Sequence, residues 1–184
     1  VTEVAVCDYG AGNTRSVRAA LARVGAGSTL TADPELLRAA DVVVLPGVGS
    51  ARAAMAHLEA TGASDALTRR FAEGGRIVGI CLGLQLALEH SEEDGGTRML
   101  GLLEGRVRRL EAARVPRLGW ATVEPWDATY YFAHSYWCDA PSVVATAEGI
   151  PAAVAMGPFL GVQFHPEKSG EAGERWLAQC LSPA

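Results

Sequence analysis

Long apolar runs are missing from this chain. The longest, such as Val42 to Leu45, fall far short of the roughly 20 residues a membrane-spanning helix needs. The N-terminus also lacks a basic region followed by an apolar signal core. There is no basic stripe: the net charge is −5, and the clusters Arg69-Arg70 and Arg106 to Arg109 read as solvated faces, which argues against nucleic-acid binding. Cysteine is sparse. Four cysteines stand far apart, without the pairing of a disulfide framework or a C-x-x-C metal clip, so free thiols in a reducing, cytoplasmic compartment are expected. Internal repeats, low-complexity segments and linkers are absent as well. What is present is 184 residues, 49% of them hydrophobic, enough to bury a substantial core as one domain over residues 1–184.

The first half of the chain alternates. Val4 to Cys7 reads as a buried strand, Thr14 to Val24 as a helix, Pro34 to Arg38 as a short helix and Ala40 to Leu45 as a strand. Ser50 to Glu59 and Asp65 to Glu73 are helical, Gly74-Gly75 ends the second of these, Ile77 to Ile80 is a strand and Leu82 to His90 a helix. This rhythm predicts an α/β fold with an open, mostly parallel sheet covered by helices on both faces. From Arg98 onward shorter strands are expected around Gly105 to Leu110, Trp120 to Glu124, Tyr130 to His134, Val143 to Ala147 and Leu160 to Phe164. A terminal helix follows from Glu171 to Leu181. Such sheets place their sites where strand ends collect, which would bring Gly49, Cys81 and His165 together.

Cys81 is the residue to which the chemistry points. In Gly79-Ile80-Cys81-Leu82-Gly83 it falls between a strand and a helix, as a nucleophile elbow requires, with sulfur in place of oxygen. The flanking glycines leave room for a sharp turn, and the helix beginning at Leu82 turns free N–H groups toward the sulfur, where they stabilise negative charge. Cys7, Cys138 and Cys180 lack this setting and are expected to be inert.

A cysteine nucleophile needs a base. His165 lies in Gly161-Val162-Gln163-Phe164-His165-Pro166-Glu167-Lys168, at the end of a short strand that Pro166 stops, with Glu167 two residues on to orient the imidazole. H-x-E also occurs in zinc deaminases, but those require a P-C-x-x-C partner that is missing, so neither metal nor cofactor is expected. His134 is an alternative base, although its aromatic strand Tyr131 to Tyr136 favours a structural role. His57 and His90 carry no motif and read as solvated.

These residues resemble the class I glutamine amidotransferases, whose glutaminase domains carry G-x-C-x-G-x-Q and a late H-P-E; Gln85 completes the first motif. Asp8-Tyr9-Gly10-Ala11-Gly12-Asn13, Pro46-Gly47-Val48-Gly49 and His134-Ser135-Tyr136 follow in the order seen in glutaminase subunits of imidazole glycerol phosphate synthases. The resemblance covers about Val4 to Ser169. It implies hydrolysis of L-glutamine by Cys81, His165 and Glu167. The oxyanion would be held by the N–H groups of Leu82 and Val48, and glutamine would be contacted by Gly47, Gly49, Gln85, Ser135 and Tyr136. It also implies a partner, a (β/α)8-barrel cyclase subunit that consumes the ammonia, with Asn13, Trp120 and Lys168 near the shared interface. Without the resemblance, Asn13 reads as an N-cap, Trp120 as core, Lys168 as surface, Gln85 as a helix-surface amide and Pro46 to Gly49 as a tight turn.

The chain departs from that pattern at Arg117-Leu118-Gly119-Trp120-Ala121, at Leu84 and at Thr14. The segments between Trp120 and Tyr130 and between Ala147 and Phe159 are also shorter than the resemblance leads one to expect. A stand-alone γ-glutamyl hydrolase or cysteine peptidase would use the same triad without a partner. A binding protein with a redox-active Cys81 would use the fold without catalysis.

Overall fold

Alternation within the strands sorts the core of the computed structural model, which describes residues 2–10, 13–112 and 114–182. In β1 (Val4–Cys7), β3 (Val42–Leu45) and β4 (Arg76–Ile80), Ala5, Cys7, Val43, Leu45 and Ile77 face one layer, and Val4, Val6, Val42, Val44, Val78 and Ile80 face the other. Strands buried on both faces read as near-continuous apolar runs, as Val42 to Leu45 does. The first layer is covered by α2 (Pro34–Ala39), α3 (Ala51–Thr61), α4 (Ala63–Ala72) and the short α5 (Leu82–Leu86). The second is covered by α1 (Thr14–Arg23), α6 (Gly170–Leu181) and a hairpin of β8 (Arg117–Val123) and β9 (Ala128–His134).

The main sheet adds β2 (Ser28–Thr31), β11 (Val143–Ala147), β12 (Ile150–Met156) and β13 (Phe159–Val162), in the order β11-β12-β13-β4-β3-β1-β2. The five strands from β13 to β2 run parallel, and β12 and β11 join antiparallel. A smaller sheet, β10-β7-β5-β6, is built from β5 (His90–Ser91), β6 (Thr97–Arg98), β7 (Arg106–Arg109) and β10 (Tyr136–Asp139). Among the described residues no helix is long and apolar enough to cross a membrane.

Local chemistry sets the helix ends. Asp33 caps α2 by accepting from the Glu35 N–H at 2.8 Å, with Pro34 at the first helical position. Gly62, at φ 76°, both ends α3 and begins α4. The helix expected over Leu82 to His90 stops at Leu86. The 100–103 segment folds back so that Leu100 N–H and Leu103 N–H donate to the carbonyls of Leu86 and Ala87 (3.0 and 2.9 Å), and His90 enters β5 instead. β13 likewise ends at Val162, earlier than Phe164.

Arg70 is a second correction. Rather than lying on a solvated face it is 4% exposed, and its guanidinium donates to the carbonyls of Leu37, Arg38, Asp41 and Arg76 at 2.9–3.2 Å. Buried carbonyls around the α2–β3 connection need donors, and arginine's planar fork reaches several at once. Arg106, Arg108 and Arg109 are exposed as expected.

Candidate active site

Cys81 takes the strained backbone itself. Its φ of 49° and ψ of −104° are rare for a residue with a side chain, a conformation that costs about 1–3 kcal/mol and persists only where neighbours over-determine it. Its N–H donates to Val162 O at 2.7 Å, and its carbonyl accepts from Gln85 N–H at 3.2 Å. The flanking glycines provide clearance. A Cβ on Gly83 would stand 2.0 Å from Leu45 O, and one on Gly79 2.7 Å from Leu84 N, so the elbow fits between β3 and α5 only without those side chains.

His165 lies three residues beyond β13. Its Nδ1 is 2.9 Å from Glu167 Oε1, and both side chains are buried. Asn13 Nδ2 donates to the same carboxylate oxygen. Burial opposes a charge on His165, but hydrogen bonds with Cys81 and Glu167, together with the negative charge at both, outweigh it and push the imidazole's pKa up to about 10. The imidazole is therefore held toward its charged form. Glu167 accepts from Nδ1–H and fixes the ring's orientation.

His134 is a different kind of histidine. It is buried, its Nδ1 donates to Tyr136 O at 2.8 Å, and its Nε2 is buried without a partner. Burial pushes its pKa down to about 4, assisted by the charges of Arg117 and His165 and opposed by the Tyr136 carbonyl. It is neutral where His165 is charged. Of the two histidines without a motif, His90 is exposed and His57 half-buried.

A cavity of about 250 Å³ opens at Cys81, bounded by Gly47, Val48 and Gly49 on one side and by Ser135 and Tyr136 on the other, with Leu82 and Gln85 in its wall. Gln85 is not a surface amide. It is buried, and its Nε2 donates to Tyr136 O and to Gln163 Oε1, each at 3.2 Å. The Pro46 to Gly49 segment lies directly on the elbow, because a Cβ on Gly47 would reach within 2.9 Å of the Cys81 Cβ. Val48 and Leu82 thus line the cavity at Cys81 from two chain segments.

The three expected interface residues divide. Asn13 occupies the N-cap position of α1 at φ 73°, yet its side chain makes no cap bond and is spent on Glu167. Trp120 is not core: it is 58% exposed, on the outer face of the hairpin against the edge of Tyr131. Lys168 is exposed, in the single turn of 3-10 helix at Pro166–Lys168. Of the Asp8 to Asn13 motif, Ala11 and Gly12 lie outside the described residues.

Three residues at this site were not singled out from the sequence. Glu93 is the one acidic side chain lining the cavity among the described residues, and its Oε2 accepts from Ala51 N–H at the start of α3 (2.8 Å). Ser169 donates to His165 O at 2.6 Å and accepts from Tyr131 N–H at 3.0 Å, pinning the histidine's backbone to β9. Gln163 is fully buried and donates to Cys81 Sγ at 3.4 Å. Glu93 belongs to no local motif, and Ser169 and Gln163 only flank one. Among the described residues no group of three or more His, Cys, Asp or Glu side chains could hold a metal ion. Burial makes the remaining thiols hard to ionise, Cys7 and Cys180 being pushed up to about 12 and Cys138 further still.

Comparison with known proteins narrows the setting. Residues 5–183 match the family described as glutamine amidotransferase class-I. The imidazole glycerol phosphate synthase subunit HisH of Methylococcus capsulatus is 43% identical, with 98% of this chain and 96% of that protein covered. The HisH subunit of Lactiplantibacillus plantarum is 44% identical, at 95% and 92% coverage. Among solved structures, one described as a glutamine amidotransferase has a TM-score of 0.82 at 22% identity, covering 97% of this chain and 98% of that one. PurLQS from Thermotoga maritima has a TM-score of 0.73 at 19% identity, at 98% and 97% coverage. The structural likenesses establish the fold, and the sequence relatives, at twice that identity and nearly full length, establish more: the chain belongs to the class I glutamine amidotransferases and, among them, to the HisH subunits of imidazole glycerol phosphate synthase.

Proposed function

We propose that this chain hydrolyses L-glutamine to glutamate and ammonia through Cys81, His165 and Glu167, and hands the ammonia to a (β/α)8-barrel cyclase subunit in histidine biosynthesis. The observation that carries this reading is the meeting of Cys81 with the His165–Glu167 pair beside a cavity walled by Gly47 to Gly49. Cys81 attacks the side-chain amide carbon, and the C=O π electrons move onto oxygen. His165 gives its proton to the amide nitrogen, the C–N bond breaks and ammonia leaves a γ-glutamyl thioester. Water then adds as His165 takes its proton, the C–S bond breaks, and glutamate and the starting enzyme are restored.

The oxyanion is met by the N–H groups of Leu82 and Val48, each such donor being worth about 3 kcal/mol. Gly49, Gln85 and the backbone of Ser135 and Tyr136 hold the amino-acid end of glutamine, and the Glu93 carboxylate is placed to meet its ammonium group. Glycines on either side of Val48 let that peptide rotate, so the hole can be completed on activation.

A partner is required because ammonia released into neutral water is protonated and lost as a nucleophile. The hairpin offers it a surface: Leu118 (63% exposed) and Trp120 (58% exposed) project from the same face of β8, and Leu118 also borders the cavity. A solvent-facing Leu–Trp pair beside a catalytic site is the kind of patch a partner covers. Asn13 is bonded to Glu167 and Lys168 follows it in the chain.

Glutamate release is the direct test, measured for the chain alone, with a matching cyclase subunit plus its ribulosyl ligand, and with Cys81→Ala. Stimulation by the partner that vanishes in Cys81→Ala is expected. Equal turnover without the partner would replace this reading with a stand-alone hydrolase, and no turnover in either case with a binding protein.

A further inference from the structure

Cys81 has a second neighbour at its sulfur besides His165. Gln163, the first residue after β13, is fully buried, with its N–H given to Ala152 O at 2.8 Å. A buried amide must satisfy both ends of its side chain. The choice of which end faces the sulfur is ordinarily a matter of assignment, but here a backbone carbonyl decides it. Tyr136 O can only accept, and it takes Gln85 Nε2 at 3.2 Å as well as His134 Nδ1 at 2.8 Å. Gln85 must therefore present its NH2 group there, and its other N–H goes to Gln163 Oε1, also at 3.2 Å. With its oxygen so engaged, Gln163 turns Nε2 to Cys81 Sγ at 3.4 Å. The two amides line up head to tail from Tyr136 O to the sulfur and end there in a donor.

We propose that Gln163 is a further catalytic residue, an N–H donor that holds the Cys81 sulfur as a thiolate and fixes the direction from which it attacks. An amide cannot take the thiol proton, so it does not compete with His165 for that role. It donates to the anion and gains strength as negative charge collects on sulfur. The same chain runs through Gln85 and Tyr136, which border the cavity, so the sulfur's donor is held by two residues that glutamine touches. The other polar atom near the sulfur, Ala133 O at 4.0 Å, can only accept, so beside His165 it is Gln163 that favours the anion.

This inference rests on Cys81 being the nucleophile, and the test separates the two. Gln163→Met keeps the length and removes the donor. The rate of Cys81 alkylation by iodoacetamide, resolved from the other three thiols by peptide mass spectrometry, is measured against pH in the full chain, and kcat and KM for glutamine are measured in the complex with the partner. In Gln163→Met, alkylation at pH 7 should slow by about tenfold, the size of one charge-assisted hydrogen bond, and the profile should move to higher pH. Turnover should fall in kcat with KM unchanged. A folded Gln163→Met alkylated at the wild-type rate across the profile, or unchanged in kcat, overturns the proposal. Should Gln163→Met not fold, Gln163→Leu removes the donor in the same way, and it should slow alkylation equally; a wild-type rate there is equally fatal. Failure of the nucleophile reading looks different, as glutamine turnover that survives Cys81→Ala.

Discussion

A Cβ on Gly47 would stand 1.8 Å from the carbonyl oxygen of Ile80, the residue that precedes Cys81. The loop after β3 and the last peptide of β4 are in backbone contact, so the segment carrying Val48 is registered on the elbow by the lack of one methyl group. Gly47→Ala must push the two apart. The expected outcome is a loss of partner-stimulated glutaminase activity of roughly a hundredfold, the value of one oxyanion donor, with a lowered thermal midpoint. Gly27→Ala is the control: Gly27 is exposed, with open space at its Cβ, and the change should leave both quantities near wild type.

The two buried histidines give stability opposite pH dependences. His165, with its pKa raised to about 10, contributes fully below about pH 6.5, where the unfolded chain is also protonated, and loses that contribution as pH rises through 10. His134, lowered to about 4, contributes fully above about pH 6.5 and loses it as pH falls through 4, because the unfolded chain then binds the extra proton. Urea midpoints across pH 4 to 10 should fall on both sides. Glu167→Gln should flatten the alkaline side and His134→Asn the acid side; unchanged profiles in both variants would refute the assignment.

Arg70 is a stability residue with no part in the chemistry. Arg70→Met leaves the carbonyls of Leu37, Arg38, Asp41 and Arg76 without their donor, at a cost of about 3 kcal/mol or more. The thermal midpoint should drop by roughly 10 °C for a chain of this size. Arg70→Lys should rescue little of it, since an ammonium cannot span the same set of acceptors.

Asn13 and His165 share one oxygen of Glu167. Asn13→Ala should loosen the carboxylate's aim and lower kcat by about tenfold with KM unchanged, as expected when a hydrogen bond to a charged group is removed. A KM effect alone would place Asn13 in substrate binding instead.

Trp120→Ala should leave the isolated chain's stability within about 0.5 kcal/mol, because the ring is largely in solvent already. Affinity for the cyclase subunit should weaken by roughly thirtyfold or more, as for an aromatic anchor at the centre of an interface. Titration of partner-stimulated glutamate release reads both affinity and activity.

Much of this was legible in the chain because it depends on local rules. Four buried positions in a row at Val42 to Leu45, Pro34 behind Asp33, Gly74 after α4 and the G-x-C-x-G spacing each act within a few residues. The parallel sheet, most helix positions and the candidate nucleophile therefore follow from residue order alone. β2 leaves no such mark, since Ser28 to Thr31 lies half in solvent at the sheet's edge, and neither does β12, whose Ala-rich Ile150 to Met156 lacks an alternating pattern. α5 is shorter than its local pattern implies because its end is set by residues 100–103, which return to cap it.

Tertiary structure alone decided which side chains share an environment. The sequence of Arg69-Arg70 cannot tell a solvated arginine from one that ties together an interior turn, nor can the aromatic strand around His134 tell a neutral histidine from a charged one. Glu93 meets the site from a segment far from Gln163 and Ser169, and the orientation of the amides at the sulfur follows from one carbonyl at Tyr136. Periodicity and capping are short-range and show in the order of residues. Burial, charge and hydrogen-bond direction depend on neighbours brought from elsewhere in the chain, and only the folded molecule assembles them.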